Sequence, residues 1–571
     1  MYHFKIDKIV LRTMNKEKSF IPKGINVIVG PNNSGKSRLL KEIRDYLSGD
    51  HKDIKMISSL NYPMADNFSE LCSAYDIESK MIKDIYGNWL LKVYSNKPEH
   101  AMDMTTTLDS YYTRNINSWC GDWQEHFESV FKRNNSQEFL NLFGSLFFQY
   151  LGTEERLTVC KTQRNHGMDS NSTNYLSSIQ YQSELLDKLR LKTMELFKKD
   201  IYLDNKTLGD RLVFRVGDDF NYIRSQTEPN ESDVRKLFAE KKLDDQGDGL
   251  KSFVSTFLSL FLGKRDVLLI DEPEAFLHPP LARQLGEMIG ESHKKGQIIF
   301  VATHSVEVLK GILSKNQNVN VIRITQPIPF SNSFKIVNKK LLDSILQNPL
   351  LRVSRVLEGI FCDKVVLTEA EADELVYQEL IEKIYPASGL YFAHGQNKQT
   401  LATIAELYQK IGIPYEIITD FDVLRKSDEF NRFLSLMDIP SKERQKMIQY
   451  ANNLRELVNN SVEVSGLNEE EAKRIQKSRR DEVYHKLGIN FFDESIQKHL
   501  LTAIERFREN HLHILKTGEL ETLLVDYGVP YQDKNKWIVA AINKIAEIQK
   551  EDIPSDSYLF KFLSSVKGNE S

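Results

Sequence analysis

The sequence predicts two α/β units in series, and three stretches carry that prediction. Gly24–Val29 is an apolar strand that runs straight into a glycine-rich loop and then a helix. Asp266–Ile270 and Gln297–Ala302 are near-continuous apolar runs, the pattern of parallel strands covered on both faces. From residue 364, strand and helix alternate again: Lys364–Thr368, Glu371–Ile384, Gly389–Ala393, Gln399–Ile411 and Tyr415–Thr419.

Taken in order, the chain opens with a strand at Ile6–Arg12. The loop at Gly30–Ser37 is followed by Leu39, Leu40, Ile43 and Leu47 at helical spacing. Residues from about 50 to 240 read as a largely helical insertion and a candidate dimerisation arm, with Asn-rich joints at Lys132–Ser136 and Gln163–Asn174. The first domain is placed at 1–347, a linker helix at 348–363 and the second domain at 364–571. Within the latter, 440 to about 510 is charged and helical, and a helix near Lys536–Ile548 closes the chain.

At 571 residues there is length for two full cores. The formal net charge is −4, so no global basic field draws nucleic acid; such contacts must come from local patches or metal ions. Cys72, Cys120, Cys160 and Cys362 lie far apart, which argues against a zinc or disulfide framework and fits a reducing cytoplasm. The N-terminus lacks a signal-peptide pattern, and no apolar run approaches the roughly 20 residues of a membrane helix. A cytoplasmic protein with no membrane partner is expected.

Gly30-Pro-Asn-Asn-Ser-Gly35-Lys36-Ser37 matches GxxxxGK[ST] between strand and helix, the context this phosphate loop requires. Gly30, Asn32, Asn33 and Gly35 let backbone N–H groups wrap the phosphates of ATP. Lys36 neutralises the β- and γ-phosphates, and Ser37 places a hydroxyl on Mg²⁺. Val267-Leu-Leu-Ile-Asp271-Glu272-Pro273 is the matching Walker B strand, with Asp271 in the magnesium shell and Glu272 orienting the attacking water. The continuation through Leu277-His278-Pro279 resembles the D-loop of ABC-type ATPases, and His304 in VATHS stands where that class keeps a γ-phosphate-sensing histidine. Gln246-Gly247-Asp248-Gly249 resembles a degenerate ABC signature loop. That resemblance implies two nucleotides sandwiched between two heads, hence a homodimer or higher homo-oligomer. Gln149 and Gln163 are both candidates for the Q-loop glutamine.

The second unit offers carboxylates. Glu369 ends the strand Lys364–Thr368, Asp373 lies on the first turn of the next helix, and Asp420 and Asp422 follow the strand Tyr415–Thr419 at i, i+2. Parallel-strand ends converge on one crevice, and acids so placed suit Mg²⁺ or Mn²⁺. Such a site supports phosphodiester chemistry.

In this order, P-loop, signature, DEP–HP, THS, strand-Glu and strand-DxD, the chain resembles the OLD (overcoming lysogenization defect) family, including Gabija nuclease subunits and retron-associated effectors. The resemblance implies an ABC-type ATPase fused to a Toprim-like Rossmannoid domain with helical additions. The implied activity is a metal-dependent endonuclease acting on DNA in antiviral defence, with a helicase or a reverse transcriptase and its nucleic acid as operon partner. It also implies that Glu369, Asp420 and Asp422 are metal ligands and that Asp373 is the second acid of the ExxxD pair. Lys516 then steadies the phosphate, and Glu519 or Glu521 binds a second metal. Gly395 in HGQNK stands for the family's glycine-rich turn, while Ala370 replaces the glycine that usually follows the first acid. The competing expectation is a non-cleaving SMC/RecF-like repair or sensor ATPase. Lys473–Arg480 reads as a solvated helix face, with contact to a phosphate backbone as the alternative, and Trp119 and Trp123 as packing residues.

Overall fold

The computed structural model describes residues 2–13, 16–75, 77, 81–83, 89–94, 111–115, 123–165, 175–225, 228–263, 265–328, 331–338, 355–386, 388–437, 439–461 and 469–568. The chain divides into two compact units, Met1–Lys339 and Lys340–Ser571. The break expected at 347 falls in 339–354, outside the described residues.

A six-stranded sheet organises the first unit, in the order Ser331–Asn338, Val319–Ile328, Ile25–Val29, Ile298–Ala302, Val267–Asp271, Phe148–Leu151. Its pairs are parallel except for the hairpin of the first two strands. The last four strands are buried at every residue, so both faces are covered and their sequences carry no polar alternation. Helix Lys36–Leu47 buries Leu39, Leu40, Ile43 and Leu47 in the core beneath this sheet. The first strand is Lys8–Arg12; it pairs with Glu17–Phe20 and Ile57–Asn61 in a separate antiparallel sheet.

The segment 50–240, expected as a largely helical insertion, carries strands as well as helices. It alternates helices with two further antiparallel groups, one of Met81–Lys83, Trp89–Tyr94 and Tyr111–Asn115, the other built on Asp200–Asp204 and Arg211–Gly217. Phe148–Leu151 is moreover an edge strand of the central sheet, paired with Val267–Asp271. The cause is local: helix Ser136–Phe147 buries Phe139, Leu140, Phe143, Leu146 and Phe147 and runs directly into Phe148. A four-residue buried strand after such a helix continues the apolar run and is invisible to periodicity.

The second unit has a parallel sheet in the order Leu390–His394, Lys364–Thr368, Tyr415–Thr419, Leu512–Ile514. The charged segment forms helices Ser441–Ser461, Glu469–Glu482 and Glu494–Arg508. Of the linker helix, Arg355–Phe361 is described, as a 3-10 turn that buries Val356, Leu357 and Ile360. The chain closes with two helices rather than one, Lys534–Glu547 and Tyr558–Lys567. Trp537, Leu563 and Val566 from them join Val366 and Tyr377 in one core. The second helix was readable, since Leu559, Phe562, Leu563 and Val566 have helical spacing and Ser557 Oγ caps it by accepting the Phe560 N–H at 3.2 Å.

Candidate nucleotide and metal sites

Gly30 leaves the sheet with φ +145°, and a Cβ there would lie 2.0 Å from the Ile324 carbonyl oxygen, so the phosphate loop accepts nothing larger. Asn32 and Asn33 are exposed on its rim, Asn33 with φ +59°, and Gly35 leads into the helix at Lys36. Lys36 is buried; its Nζ donates to the carbonyls of Gly30 and Pro31 at 2.8 and 2.6 Å. The ammonium is therefore held within the curl of its own loop. Ser37 follows, half-buried, on the first helical turn.

Asp271 ends a strand that neighbours Ile298–Ala302, itself paired with the P-loop strand. Its Oδ2 accepts the Tyr150 hydroxyl at 3.0 Å, while Oδ1 is buried without a hydrogen-bond partner. A buried carboxylate oxygen lacking a donor is costly, and a hard divalent cation is the partner such an oxygen suits. Glu272 has φ +48°, and its Oε1 lies 3.4 Å from His304 Nε2. Burial and the Lys36 charge lower the His304 pKa, against the pull of Glu272 and Asp271. Lys36, Glu272 and His304 thus share one electrostatic neighbourhood.

No sequence motif marks Arg156, yet it is central. Its guanidinium is fully buried and donates to Ser252 Oγ at 3.0 Å, the Leu151 carbonyl at 3.0 Å, the Glu272 carbonyl at 2.7 Å and the Asp271 carbonyl. It ties both Walker B acids to helix Asp248–Leu262. Gly247 caps that helix, and a Cβ on Gly249 would sit 2.8 Å from the Phe276 carbonyl oxygen, so the start of the helix packs closely on the turn after the Walker B strand. The two candidate Q-loop residues are engaged with protein: Gln149 Oε1 accepts the Tyr175 hydroxyl, and Gln163 bonds Val159 and Leu176.

In the second unit the chain passes from Lys364–Thr368 outward to Leu390–His394 and returns to Tyr415–Thr419 on the other side. This reversal opens a crevice between the strand ends that carry Glu369 and Asp420. Carboxylate oxygens of Glu369, Asp420 and Asp422 all lie within 4.8 Å of one another, and the Asp420 N–H donates to Glu369 Oε1 at 3.3 Å. Asp422 sits in the 3-10 turn Phe421–Leu424. Burial, with the Asp422 and Asp373 charges adding to it and Lys398 opposing, raises the Glu369 carboxyl to about 7. Burial and the three neighbouring acids push Asp420 well up. Acids crowded this closely resist ionising together unless positive charge joins them, and an all-carboxylate donor set fits Mg²⁺ or Mn²⁺. Among the described residues no other acid, histidine or cysteine group of three is so close.

Among the described residues Lys398 is the cation in direct contact with these acids, 2.6 Å from Asp422 Oδ1 and 3.1 Å from Glu369 Oε2. It stands in the HGQNK turn, whose lysine was the available signal. Lys516 packs instead with its Nζ 4.3 Å over the Tyr558 ring, and burial and Lys561 lower its pKa. The unforeseen closing helix supplies that ring, and the Tyr558 hydroxyl also accepts the Lys516 N–H.

Asp373 is buried: Oδ2 accepts the Ala370 N–H at 3.0 Å, and Oδ1 lies 3.0 Å from Lys534 Nζ. Ala370 itself is extended (φ −135°, ψ 166°), so replacing glycine there strains nothing. Glu519 pairs with His485 and accepts the Tyr531 hydroxyl at 3.1 Å. Glu521 is buried, which raises its carboxyl. The Phe421 N–H donates to the Gly518 carbonyl at 2.9 Å, joining the loops of Asp420 and Glu519. Against burial, the charges of Asp373, Glu521 and Asp420 raise Lys534. An open pocket of about 630 Å³ lies over the site, lined among others by Glu369, Asp373, Gln396, Lys398, Asp422 and Lys534. The exposed Arg474, Lys477 and Arg479 line helix Glu469–Glu482 as a solvated face. Trp119 lies outside the described residues, and Trp123 opens helix Trp123–Arg133.

Two family models match the chain: "AAA domain, putative AbiEii toxin, Type IV TA system" over residues 147–310, and "Overcoming lysogenization defect protein-like, TOPRIM domain" over 360–422. Old nuclease of Escherichia phage P2 is 23% identical over 268 residues, 45% of this chain and 43% of its own length. Endonuclease GajA of Bacillus cereus is 23% identical over 241 residues, 36% of this chain and 34% of its own. The chain thus spans less than half the length of either curated relative. The solved C-terminal region of the Xanthomonas campestris pv. campestris OLD protein is 15% identical, covers 36% of this chain and 95% of that one, and has a TM-score of 0.17.

Proposed function

We propose that this chain, which joins an AAA-type ATPase domain to a Toprim domain of the OLD type, is an ATP-binding, divalent-metal-dependent nuclease that hydrolyses phosphodiester bonds in DNA. The observation that carries the reading is the gathering of Glu369, Asp420 and Asp422 within 4.8 Å at a strand switch point. These three would hold a Mg²⁺ or Mn²⁺ ion, and Asp373 with Glu519 or Glu521 a second. A bound divalent ion supplies Lewis acidity and a more acidic water. The protein's share is to fix the carboxylates on strand ends and to surround the phosphodiester with Lys398 and Lys534 in the open pocket.

In the first unit the P-loop amides and Lys36 would bind the β- and γ-phosphates, and Ser37 and Asp271 would hold Mg²⁺. Glu272 would orient water, and His304 would sense the γ-phosphate. Gly247 and Gly249, at the start of helix Asp248–Leu262, would receive a partner head's nucleotide in a homodimer or higher homo-oligomer. Cytoplasmic antiviral defence, with a helicase or reverse transcriptase as companion, accords with this domain pairing; among the described residues no helix is long and apolar enough to cross a membrane. The test is plasmid nicking with Mg²⁺ or Mn²⁺ by the wild type beside Asp420→Ala. Nicking by the wild type alone is expected. Equal nicking by both removes the acid site, and nicking by neither under any nucleotide favours a non-cleaving sensor ATPase.

A further inference from the structure

Lys398 stands at a locally unfavourable place. It opens helix Lys398–Ile411, whose first turn carries no acid, so its charge faces the positive end of the helix dipole. Gln396, two residues earlier, has φ +66°, a left-handed backbone that a residue with a side chain keeps only where its surroundings hold it. Asn397 then caps the helix, its Oδ1 accepting the Thr400 N–H at 2.8 Å. Turn and cap together aim the lysine into the pocket, where Nζ contacts Asp422 Oδ1 and Glu369 Oε2 with only 16% of its side chain exposed.

We propose that Lys398 is a built-in counter-ion of the acid cluster, which a divalent metal must displace to load the site, so that this lysine sets the metal concentration at which cleavage begins. The inference rests on the metal-site reading above. An ammonium seated on two of the three ligands repels an incoming dication and competes with it for their negative charge and lone pairs. The pocket is open, and a lysine's four-carbon stem lets the charge swing aside without moving backbone. A lysine that only braced the acids would behave oppositely: its loss would loosen the ligands and weaken metal binding.

The sign of that effect is the test. Mn²⁺ binding to the full chain without nucleotide is measured by calorimetry and by the electron paramagnetic resonance of free ion. The wild type is compared with Lys398→Met, Lys398→Gln, Lys398→Arg and Asp420→Ala. Losing two charge-assisted contacts that compete with metal is expected to tighten binding by roughly tenfold or more in Lys398→Met and Lys398→Gln. Lys398→Arg, which keeps the charge, stays near the wild type. Equal or weaker binding in both neutral variants overturns the counter-ion while leaving the metal site standing. Wild-type binding that Asp420→Ala does not alter removes the metal site itself, and the counter-ion with it.

Discussion

Replacing Arg156 with methionine removes the group that holds the Walker B segment. The guanidinium donates to three carbonyls, those of Leu151, Asp271 and Glu272, and to Ser252 Oγ, all in a fully buried setting. Methionine fills much of the space but donates nothing. Each buried acceptor left without a partner costs about 1–3 kcal/mol. Relief of the guanidinium's own desolvation offsets part of that sum, so breaking one side of such a network costs about 3–5 kcal/mol. At about 2.1 cal/mol/K of unfolding entropy per residue, the 339 residues of the first unit carry roughly 0.7 kcal/mol/K. The expected fall in Tm is therefore about 4–7 °C. Thermal scans at constant Mg²⁺, with and without ATP, identify the transition of this unit, because only it shifts with nucleotide. ATP turnover should fall further than ATP affinity, since Glu272 loses the restraint on its left-handed backbone while the P-loop keeps its contacts. Arg156→Lys recovers part of the loss, as one ammonium reaches fewer of the four acceptors. A shift under about 1 °C with wild-type turnover would refute this account.

Lys36→Ala should weaken binding of a fluorescent ATP analogue by roughly a hundredfold or more, the worth of one or two charge-assisted phosphate contacts; retained affinity would overturn the P-loop assignment. Glu272→Gln with ATP should elute as a paired species in light-scattering chromatography, and a monomer under those conditions removes the head-to-head arrangement. Glu416→Gln probes a buried hub on the second sheet. Burial favours its neutral form, but His511, His513 and Lys364 at 3.1, 2.9 and 2.8 Å outweigh that and hold the carboxyl far below its usual 4.5. A depressed folded pKa gives stability that is present above the unfolded value and lost as pH falls through the folded one. The variant should thus lie about 3–5 kcal/mol below wild type near neutral pH, with the gap narrowing under about pH 4.5 in denaturant titrations. A gap that is the same at both pH values contradicts the assignment.

The P-loop, the Walker B strand and the DxD strand end were legible because each demands its chemistry within a few residues of one backbone turn. What escaped the sequence depends on pairs far apart in the chain. Arg156 meets Ser252 and Asp271 from 96 and 115 positions away, and nothing beside it announces those partners. That Lys398, rather than Lys516, contacts the acids has the same character. Both follow strands near the acids, but the left-handed Gln396 turns one toward Asp422, while Tyr558, from a helix at the far end of the chain, takes the other. Phe148–Leu151 was lost for a different reason: a four-residue strand has too short a pattern to stand apart from the helix before it.

The two carboxylate sites answer one electrostatic problem in opposite ways. Asp271 has a neutral phenol on one oxygen and no hydrogen-bond partner on the other, and the nearby Lys36 rests on backbone carbonyls. Glu369, Asp420 and Asp422 are crowded and buried enough that protein charge is drawn in, and Lys398 answers on their side as Lys534 does at Asp373. On the counter-ion proposal, metal at that site would be exchanged for lysine rather than simply added. The two strand ends thus differ in where their positive charge sits: on the Asp271 carbonyl, through Arg156, and on the P-loop carbonyls, through Lys36, in one; directly on the carboxylates, through Lys398, in the other.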